Sequence, residues 1–455
     1  MLIINGINSG QVLQRNRKNF SETLIKGTAK SAGVISVKVV QKGKTLKGFN
    51  FKKLTRLKKG SFQFKLTGIP TCGPYQIIFK FTSAKDLDTI LEFNNILVGD
   101  VWILAGQSNM EGCGFIRYAA KPHPLVRAFY MNDKWAAAQD PIHNLYDSID
   151  PVHAALCGGA NPIRNKKKGT GPGVAFGKEM YRLTGAPQGL LCCAHGGTSM
   201  SQWNPALKKH KNKSLYGALL RRFEKNGSNV AGILWYQGCS DTDSSEKVSL
   251  YTKRMKKLVA SFRKDLGITG LPFVMAQISR VAKCSQSAIG WNNIQNQQRL
   301  LPKVIKNLIL VSAIDLSMDD EIHIGGRDQQ RLGKRFADAV YFRKGKKQIE
   351  LKSIRRKINK YKDTVDIEVV FSNVAGSLQS AGHPSGFKVV HFDGSLCDSI
   401  YNIKLQGSKI TVCTSLPAAN PHLIFLHYGF GAMPYCNITD SAGRSLPVFG
   451  PIKVK

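Results

Sequence analysis

The feature that most constrains the fold is an alternation in the middle of this 455-residue chain. Short apolar runs alternate there with longer stretches of helical periodicity. This pattern is typical of βαβ units, in which helices join the strands of a parallel sheet and cover its faces. The predicted buried strands are 101–105, 189–194, 230–236, 271–278 and 307–314, and the predicted helices are 173–184, 214–225, 245–265, 291–304 and 327–342.

Both flanks of this region instead show the apolar and polar alternation of half-buried β-strands. Turn residues separate the segments near the start at the spacing of a small β-sandwich. The strand segments are 33–40, 60–66 and 75–81 near the start, and 364–371, 387–392 and 410–413 near the end. We therefore predict an α/β chain of three domains: an N-terminal β-sandwich-like domain (1–95), a central α/β domain (96–345) and a C-terminal β-domain (346–455).

The charge balance is a second constraint. Lys and Arg number 66 against 29 Asp and Glu, a formal net charge of +37. Residues 42–65 hold nine basic residues and no acid, and residues 343–362 hold ten basic residues against Glu350 alone. Such an excess says nothing about fold but predicts attraction to polyanions. Two interpretations stay open: an ordinary solvated surface, or a surface that binds an acidic glycan or nucleic acid.

Composition also argues against several classes of protein. No apolar run reaches 18 residues, so no transmembrane helix is predicted. The first ten residues lack the regions of a cleavable signal peptide, so either no such signal exports the chain or this sequence is that of a mature form. The ten Cys form no CxxC pair and no His/Cys cluster, which argues against structural zinc. They are too sparse for a disulfide scaffold, and we expect mostly free, buried thiols.

Four predicted strands end in polar or glycine-rich turns, at the sheet edge where ligands bind in such folds. The first runs into Gly106-Gln-Ser-Asn-Met110, which places Ser108 in a strand-to-helix turn. A turn serine is more often a helix N-cap than a nucleophile, so this motif alone is weak. The second ends at His195-Gly-Gly-Thr-Ser199. There Gly196 and Gly197 either offer backbone N–H groups to an oxyanion or form an ordinary tight turn.

The third and fourth strand ends add an amide, a carboxylate and an imidazole. After Trp235-Tyr236, Gln237 is either an oxyanion donor or a structural loop residue. The fourth strand reaches Asp315, and Asp320 and His323 follow on one loop. Acyl transfer by serine needs an imidazole base and a carboxylate that orients it, and this pair can supply both. A lone His is more often a surface residue or metal ligand, but no second His stands at metal-ligand spacing.

The chain order Ser, Gly, Gln and Asp-x-x-His resembles the sialate O-acetylesterase family, a carbohydrate-esterase branch of the SGNH hydrolase superfamily. Four blocks carry the resemblance: Gly99-Asp-Val-Trp-Ile-Leu-Ala-Gly-Gln-Ser-Asn-Met110, Gly196-Gly-Thr-Ser-Met-Ser-Gln-Trp203, Trp235-Tyr-Gln-Gly238 and Asp320-x-x-His323. It extends to both flanks through Val12-Leu-Gln-Arg15, Phe371-Ser-Asn-Val374, Gly386-Phe387 and His427-Tyr-Gly429. It implies a central three-layer α/β/α, flavodoxin-like SGNH hydrolase domain between N- and C-terminal β-domains.

The resemblance also implies roles for individual residues in a serine esterase. Ser108 is the nucleophile, His323 its base and Asp320 the orienting carboxylate. The implied oxyanion hole consists of the Ser108 N–H, an N–H of Gly196 or Gly197, and the Gln237 side chain. No metal or organic cofactor is expected. One departure stands out: the family commonly has Glu after the Gln-Gly pair, whereas this chain has Cys239, and the adjoining Asp241 is a candidate replacement for that carboxylate.

The implied reaction is the removal of O-acetyl groups from a carbohydrate, with acetylated sialic acid as the first candidate substrate. A xylan or other polysaccharide acetylesterase with the same machinery is the alternative. A hypothesis of another class is a polyanion-binding or structural protein on an esterase scaffold, whose function is its basic surface. Family members are often exported.

Overall fold

The computed structural model describes residues 2–83, 87–157, 167–282, 288–343, 348–419 and 424–454, which form a mixed α/β structure. The strands before the first helix are β1 (Leu2–Asn5), β2 (Val12–Gln14), β3 (Phe20–Ala29), β4 (Gly33–Gln41), β5 (Lys44–Thr45), β6 (Lys52–Leu57), β7 (Gly60–Pro70), β8 (Cys72–Thr82) and β9 (Thr89–Gly106). Those of the middle are β10 (Gly114–Phe115), β11 (Val126–Phe129), β12 (Trp135–Ala137), β13 (Lys168–Thr170), β14 (Gln188–Cys192), β15 (Gly232–Tyr236), β16 (Phe273–Ala276) and β17 (Leu308–Val311).

Strands alone follow the last helix. They are β18 (Glu350–Asn359), β19 (Thr364–Ser372), β20 (Leu378–Ser380), β21 (Phe387–His391), β22 (Leu396–Cys397), β23 (Ile400–Gln406), β24 (Lys409–Pro417), β25 (Ile424–Tyr428), β26 (Ile438–Asp440) and β27 (Phe449–Lys453). The α-helices are α1 (Ser108–Glu111), α2 (Pro151–Leu156), α3 (Gly173–Thr184), α4 (Leu215–Lys225), α5 (Ser245–Asp265), α6 (Ala288–Val304) and α7 (Gly326–Tyr341). Short 3₁₀ segments are Ile116–Tyr118, Leu145–Asp147, Pro205–Lys213 and Cys239–Asp241.

The alternation in the middle of the chain forms a sheet in the order β12-β11-β14-β9-β15-β16-β17. All neighbours from β11 to β17 run parallel, and β12 is an antiparallel edge strand. Every residue of β14, β15 and β16 is buried, as expected when both faces of a parallel sheet are covered. The carboxyl ends of these strands therefore meet at one edge.

The helices carry the apolar stripes that the periodicity predicts. In α7, Leu332, Phe336, Ala339 and Val340 are all buried, and this helix packs against α3. The limits predicted for α3 and α5 agree with the structure, and the other three predicted helices lie within three residues of their observed limits. Apolar periodicity alone located these helices because each has one buried face.

The strand predicted over 101–105 is much longer in the structure. It is the last part of β9, whose first part pairs with β8 in the N-terminal region and whose last part lies between β14 and β15. The position of the predicted boundary between residues 95 and 96 therefore falls inside one continuous strand. In the first part of β9, exposed residues alternate with partly buried ones, because one face of the sheet is open to solvent there. The sequence therefore did not show that this part continues into the buried strand.

Three clusters of buried apolar side chains follow one another along the chain. One is formed by strands up to β9, the largest lies around the parallel sheet, and one lies among the C-terminal strands. Hydrogen bonds join the last two clusters: the Gln277 side chain donates to the Val448 oxygen at 3.0 Å and accepts from the Val448 N–H at 2.8 Å.

Two expectations from composition are met in the described residues. All nine described cysteines are free, and five of them are buried, whereas Cys284 lies outside the described residues. In the described part of the chain, no helix combines the length and apolarity that a membrane crossing needs.

Candidate active site

Ser108 lies where the central strand β9 ends. Gly106 has φ +124°, and a Cβ there would lie 2.2 Å from the backbone oxygen of Tyr236, so the neighbouring strand leaves room only for glycine. Gln107 fixes the turn that follows: its N–H donates to the Tyr236 oxygen at 2.7 Å, and its side chain accepts from Gly238 N–H at 3.0 Å. The chain then enters α1 with Ser108 as its first residue.

The structure brings Ser108, His323 and Asp320 together from two separate loops. Ser108 Oγ lies 3.0 Å from His323 Nε2, and His323 Nδ1 lies 2.8 Å from Asp320 Oδ2. A neutral imidazole protonated at Nδ1 accepts from the serine and donates to the carboxylate in this arrangement. This is the geometry that general-base activation of a hydroxyl requires.

The carboxylate of Asp320 is surrounded by donors. Oδ1 accepts from the backbone N–H groups of Ile322 and His323 at 3.0 and 2.8 Å, and Oδ2 accepts from Lys168 Nζ as well as facing the imidazole. Burial raises the pKa of Asp320, but hydrogen bonds from Lys168, Ile322 and His323 together hold that pKa well below its usual range. Asp320 therefore stays ionised at any pH at which the imidazole can act as a base.

Two residues that the sequence did not single out anchor the Asp320–His323 loop. Asn109, next to the serine, accepts from Ile324 N–H at 2.9 Å and donates to the Ile322 oxygen at 3.3 Å. Asp319 accepts from the N–H groups of Phe115 and Gly326 at 2.7 and 2.8 Å. The serine turn and the histidine loop are therefore joined directly. Adjacency to Ser108 was the one sequence signal for Asn109.

Asp315 does not belong to this cluster. Its carboxylate pairs with Arg335 at 2.6 and 2.7 Å and with Arg331 at 3.2 Å. These contacts hold the loop after β17 against α7, so Asp315 is a structural residue.

The two glycines that the sequence could not distinguish differ in their hydrogen bonds. Gly196 N–H donates to Glu111 Oε2 at 2.6 Å and is therefore occupied. Within the described residues, the N–H groups of Gly197 and Ser108 meet no acceptor. Gly197 has φ +68°, the left-handed conformation that glycine adopts readily.

Gln237 is fully buried, and both of its side-chain N–H groups are occupied. They donate to the Thr198 oxygen at 3.1 Å and to Asp241 Oδ2 at 2.5 Å. Its Oε1 has no partner among the described residues. To donate to an oxyanion, Gln237 must release one of these acceptors.

Asp241 connects two of the strand-end loops. Besides Gln237, its Oδ2 accepts from Met200 N–H at 2.9 Å, directly after the Gly-Gly-Thr-Ser segment. Burial raises the pKa of Asp241, against hydrogen bonds from Gln237 and Met200 that lower it. Cys239 lies in the same 3₁₀ turn and is also buried. This turn therefore holds a thiol at position 239 and a buried carboxylate at position 241.

Glu111 is a further residue that sequence reasoning missed, although it directly follows Met110 at the end of the first sequence block. Its carboxyl group lies against Gly196 near the Ser108 side chain. Burial raises its pKa to about 7, against the lowering effect of the Gly196 N–H. Besides Asp320, the site thus contains a carboxyl group whose pKa lies near neutrality. Across the described residues, no group of three or more His, Cys, Asp or Glu is arranged to hold a metal ion.

Comparison with known proteins agrees with the resemblance. The sequence profile of a family described as carbohydrate esterase, sialic acid-specific acetylesterase, matches residues 98–342, which is more than half of the chain. The chain belongs to this family. The family assignment made from the four sequence blocks is thereby confirmed, and the protein is a carboxylic ester hydrolase of the carbohydrate acetylesterase type.

Individual relatives are distant. A probable carbohydrate esterase of Arabidopsis thaliana is 26% identical over 261 residues, which cover 52% of this chain and 89% of the relative. Human sialate O-acetylesterase is 24% identical over 325 residues, covering 64% of this chain and 60% of the human enzyme. The crystal structure of a carbohydrate acetylesterase from Xanthomonas citri superposes with a TM-score of 0.74 at 19% identity, covering 99% of both chains. At that identity, this likeness establishes a shared fold.

The hydrogen bonds of Gln237 lead to a prediction with a matched control. If the amide turns to the oxyanion, Gln237→Ala should lower kcat by about 10²–10³-fold with little change in KM. Asp241→Asn keeps the amide but removes its charged acceptor, so it should lower the melting temperature of the esterase and reduce kcat far less. Both variants are assayed well below their melting temperatures. Equal losses of kcat would mean that Gln237 acts only by holding the loop.

Proposed function

We propose that this esterase hydrolyses O-acetyl esters of sialic acid, using Ser108 as nucleophile, His323 as base and Asp320 as the orienting carboxylate. The observation that carries the proposal is the continuous pair of hydrogen bonds from Ser108 through His323 to Asp320. The names of the human and other mammalian relatives support the sugar. A xylan or other polysaccharide acetylesterase is the alternative substrate assignment.

In the proposed reaction, Ser108 Oγ attacks the acetyl carbonyl while His323 Nε2 takes the hydroxyl proton. The N–H groups of Ser108 and Gly197 bind the oxyanion, because the Gly196 N–H is occupied by Glu111. His323 then protonates the departing sugar oxygen, which leaves acetyl-Ser108. Water, deprotonated by His323, attacks this ester, and acetate leaves as Ser108 recovers its proton.

We also propose the finer description of the fold. The central region would be a three-layer α/β/α, flavodoxin-like SGNH hydrolase domain (96–345), between an N-terminal β-domain (1–95) and a C-terminal β-domain (346–455). The parallel order of β11 to β17 and the three successive apolar clusters support this division. The active site would then lie within the central domain.

The triad assignment predicts the effect of single substitutions. Ser108→Ala and His323→Ala should each lower kcat by about 10⁵–10⁶-fold, and the double variant should lose little more, because nucleophile and base act as one unit. Asp320→Asn should be milder. Hydrolysis of a chromogenic acetate ester measures the rates, and circular dichroism checks folding. Wild-type turnover by folded Ser108→Ala would refute the assignment.

The substrate assignment predicts a difference in acetate release. The esterase should release acetate from acetylated sialic acid with a kcat/KM at least about tenfold above that for acetylated xylan, which is a difference of about 1.4 kcal/mol in transition-state binding. An enzyme-coupled acetate assay measures both, with Ser108→Ala as the blank. A preference for xylan would favour the alternative substrate.

A second proposal concerns charge: we propose that the N-terminal region binds an acidic glycan. Residues 2–83 hold sixteen Lys and Arg against Glu22 as their one acid. In the described residues, only Arg15, Lys65 and Lys80 of these sixteen lie within 4 Å of a carboxylate. Positive charge is therefore concentrated in this region, and most of it has no carboxylate partner in the part of the chain that the structure describes. A surface with evenly distributed lysines would not show this concentration.

Three of these cations share one face of the N-terminal sheet, which we call the basic face: Lys38, Lys53 and Arg56. Lys38 alternates with the buried Val37 and Val39 of β4. Lys53 and Arg56 of β6 pair with Ser36 and Val34, which lie on the same side of β4 as Lys38. Because the protein is a carbohydrate esterase, an acidic glycan is the polyanion that this face would bring to the site.

The basic face predicts the outcome of a charge-matched comparison. The triple substitution Lys38→Gln, Lys53→Gln, Arg56→Gln should weaken binding to heparin, with log affinity falling less steeply against log salt. The control triple Lys253→Gln, Lys256→Gln, Lys257→Gln on exposed positions of α5 removes the same charge and should bind like wild type. Neither should change hydrolysis of a small neutral ester.

Two results would count against the basic face. Equal weakening by both triples would assign heparin retention to total charge. Tighter binding to duplex DNA than to heparin at equal salt would favour a nucleic acid partner instead.

A further inference from the structure

The orienting carboxylate of the proposed triad carries a second partner. Asp320 Oδ2 lies 2.8 Å from His323 Nδ1 and also accepts a hydrogen bond from Lys168 Nζ. We propose that Lys168 is a positioning residue of the reaction, which holds the Asp320 carboxylate toward His323 and lowers the pH at which activity is lost. The inference rests on the proposed function, because it takes Ser108, His323 and Asp320 as the reacting unit.

Local structure brings Lys168 to this position from 152 residues away in sequence. It begins β13, which pairs with β10 so that Lys168 lies opposite Phe115. Thr170 Oγ1 donates to the Phe115 oxygen at 3.0 Å, and Phe115 N–H donates to Asp319 at 2.7 Å. The two-stranded ribbon that carries the lysine is thereby fastened to the residue next to Asp320.

The ion pair is shielded from water. The Lys168 side chain is 28% exposed and that of Asp320 is 16% exposed, and the ammonium also lies 5.9 Å from the centre of the Phe115 ring. Across the described residues, Lys168 forms no other carboxylate pair. Attraction between partly buried charges is stronger than between exposed ones, so this pair restricts the carboxylate more than a surface pair would.

The cation also acts on the imidazole. A carboxylate favours the imidazolium beside it, but a second positive charge on the same oxygen opposes that effect. Removing the Lys168 charge should therefore favour the imidazolium form of His323. The Lys168 charge also keeps Asp320 ionised, so the orienting hydrogen bond persists as the pH falls. Lys168 thus widens the working range on the acid side.

Other groups near the triad must be separated from this effect. The titratable and charged groups on the elements around Asp320 and His323 include Glu111 on α1, Cys113 after it, Arg117 and Tyr118 after β10, Lys168 on β13, Arg327 and Asp328 in the first turn of α7, and Asp319 and Glu321 on the loop itself. Among them Glu111 matters most, because burial raises its pKa to about 7. Its titration falls in the pH range where a histidine base loses activity.

The test is the pH dependence of kcat/KM for a small neutral acetate ester. Lys168→Met should move the acid limb to higher pH by about one unit, with less than about a threefold change in the plateau. Lys168→Arg should keep the wild-type limb, because it restores the charge. Lys257→Met, an exposed change of equal charge on α5, should also leave the limb in place. The same shift should appear when both Lys168 forms also carry Glu111→Gln.

A spectroscopic measurement separates this role from a merely structural one. The NMR titration midpoint of the His323 ring should rise in Lys168→Met by the same amount as the kinetic limb. If neither the acid limb nor the NMR midpoint moves in Lys168→Met, while Ser108→Ala abolishes turnover, this inference is overturned and the proposed function stands. Full turnover by Ser108→Ala would overturn the proposed function itself.

Discussion

The position of the β9 terminus is the constraint on which the site depends. β9 is the central strand, and Gly106 ends it so close to Tyr236 of β15 that only a residue without a side chain fits. Ser108 is consequently held two residues beyond the sheet, at the edge where the loops after β14, β15 and β17 also arrive. Each other group of the site is fastened to this point by a hydrogen bond between loops: Gln107 to Gly238, Asn109 to Ile324 and Glu111 to Gly196. The site is thus assembled by contacts between strand ends and not by any one strand.

Two carboxyl groups near the serine differ in their burial and in the number of hydrogen-bond donors around them. Asp320 receives four hydrogen bonds, one of them from a lysine, which outweigh its desolvation and keep its pKa low. Glu111 is buried more deeply and accepts one backbone N–H, so desolvation prevails and raises its pKa to about 7. When their environments push the pKa values of two acids apart in this way, the two acids can take different roles. Asp320 can support an imidazolium, whereas Glu111 fixes the glycine loop.

Much of this was predictable from residue patterns, and the remainder has identifiable physical causes. Apolar periodicity located α3, α5 and α7, and strand-end motifs pointed to Ser108, Asp320 and His323. Lys168 gave no signal, because its place depends on the short β10–β13 ribbon, which neither strand predicts alone. Asp315 precedes the Asp320–His323 loop in sequence but pairs with Arg335 on α7, a contact that only the tertiary structure shows. The choice between Gly196 and Gly197 required knowing where the Glu111 side chain goes, which depends on tertiary packing.

A buried carboxylate two residues after Cys239 joins two of the strand-end loops. The segment Cys239–Asp241 forms a single 3₁₀ turn, and its last residue is fully buried. That turn directs the carboxylate of Asp241 back to Met200 N–H and Gln237, so one group joins the loops after β14 and β15. The same contact constrains Gln237: its amide donates to Asp241, and its freedom to donate elsewhere depends on how readily that short hydrogen bond is released.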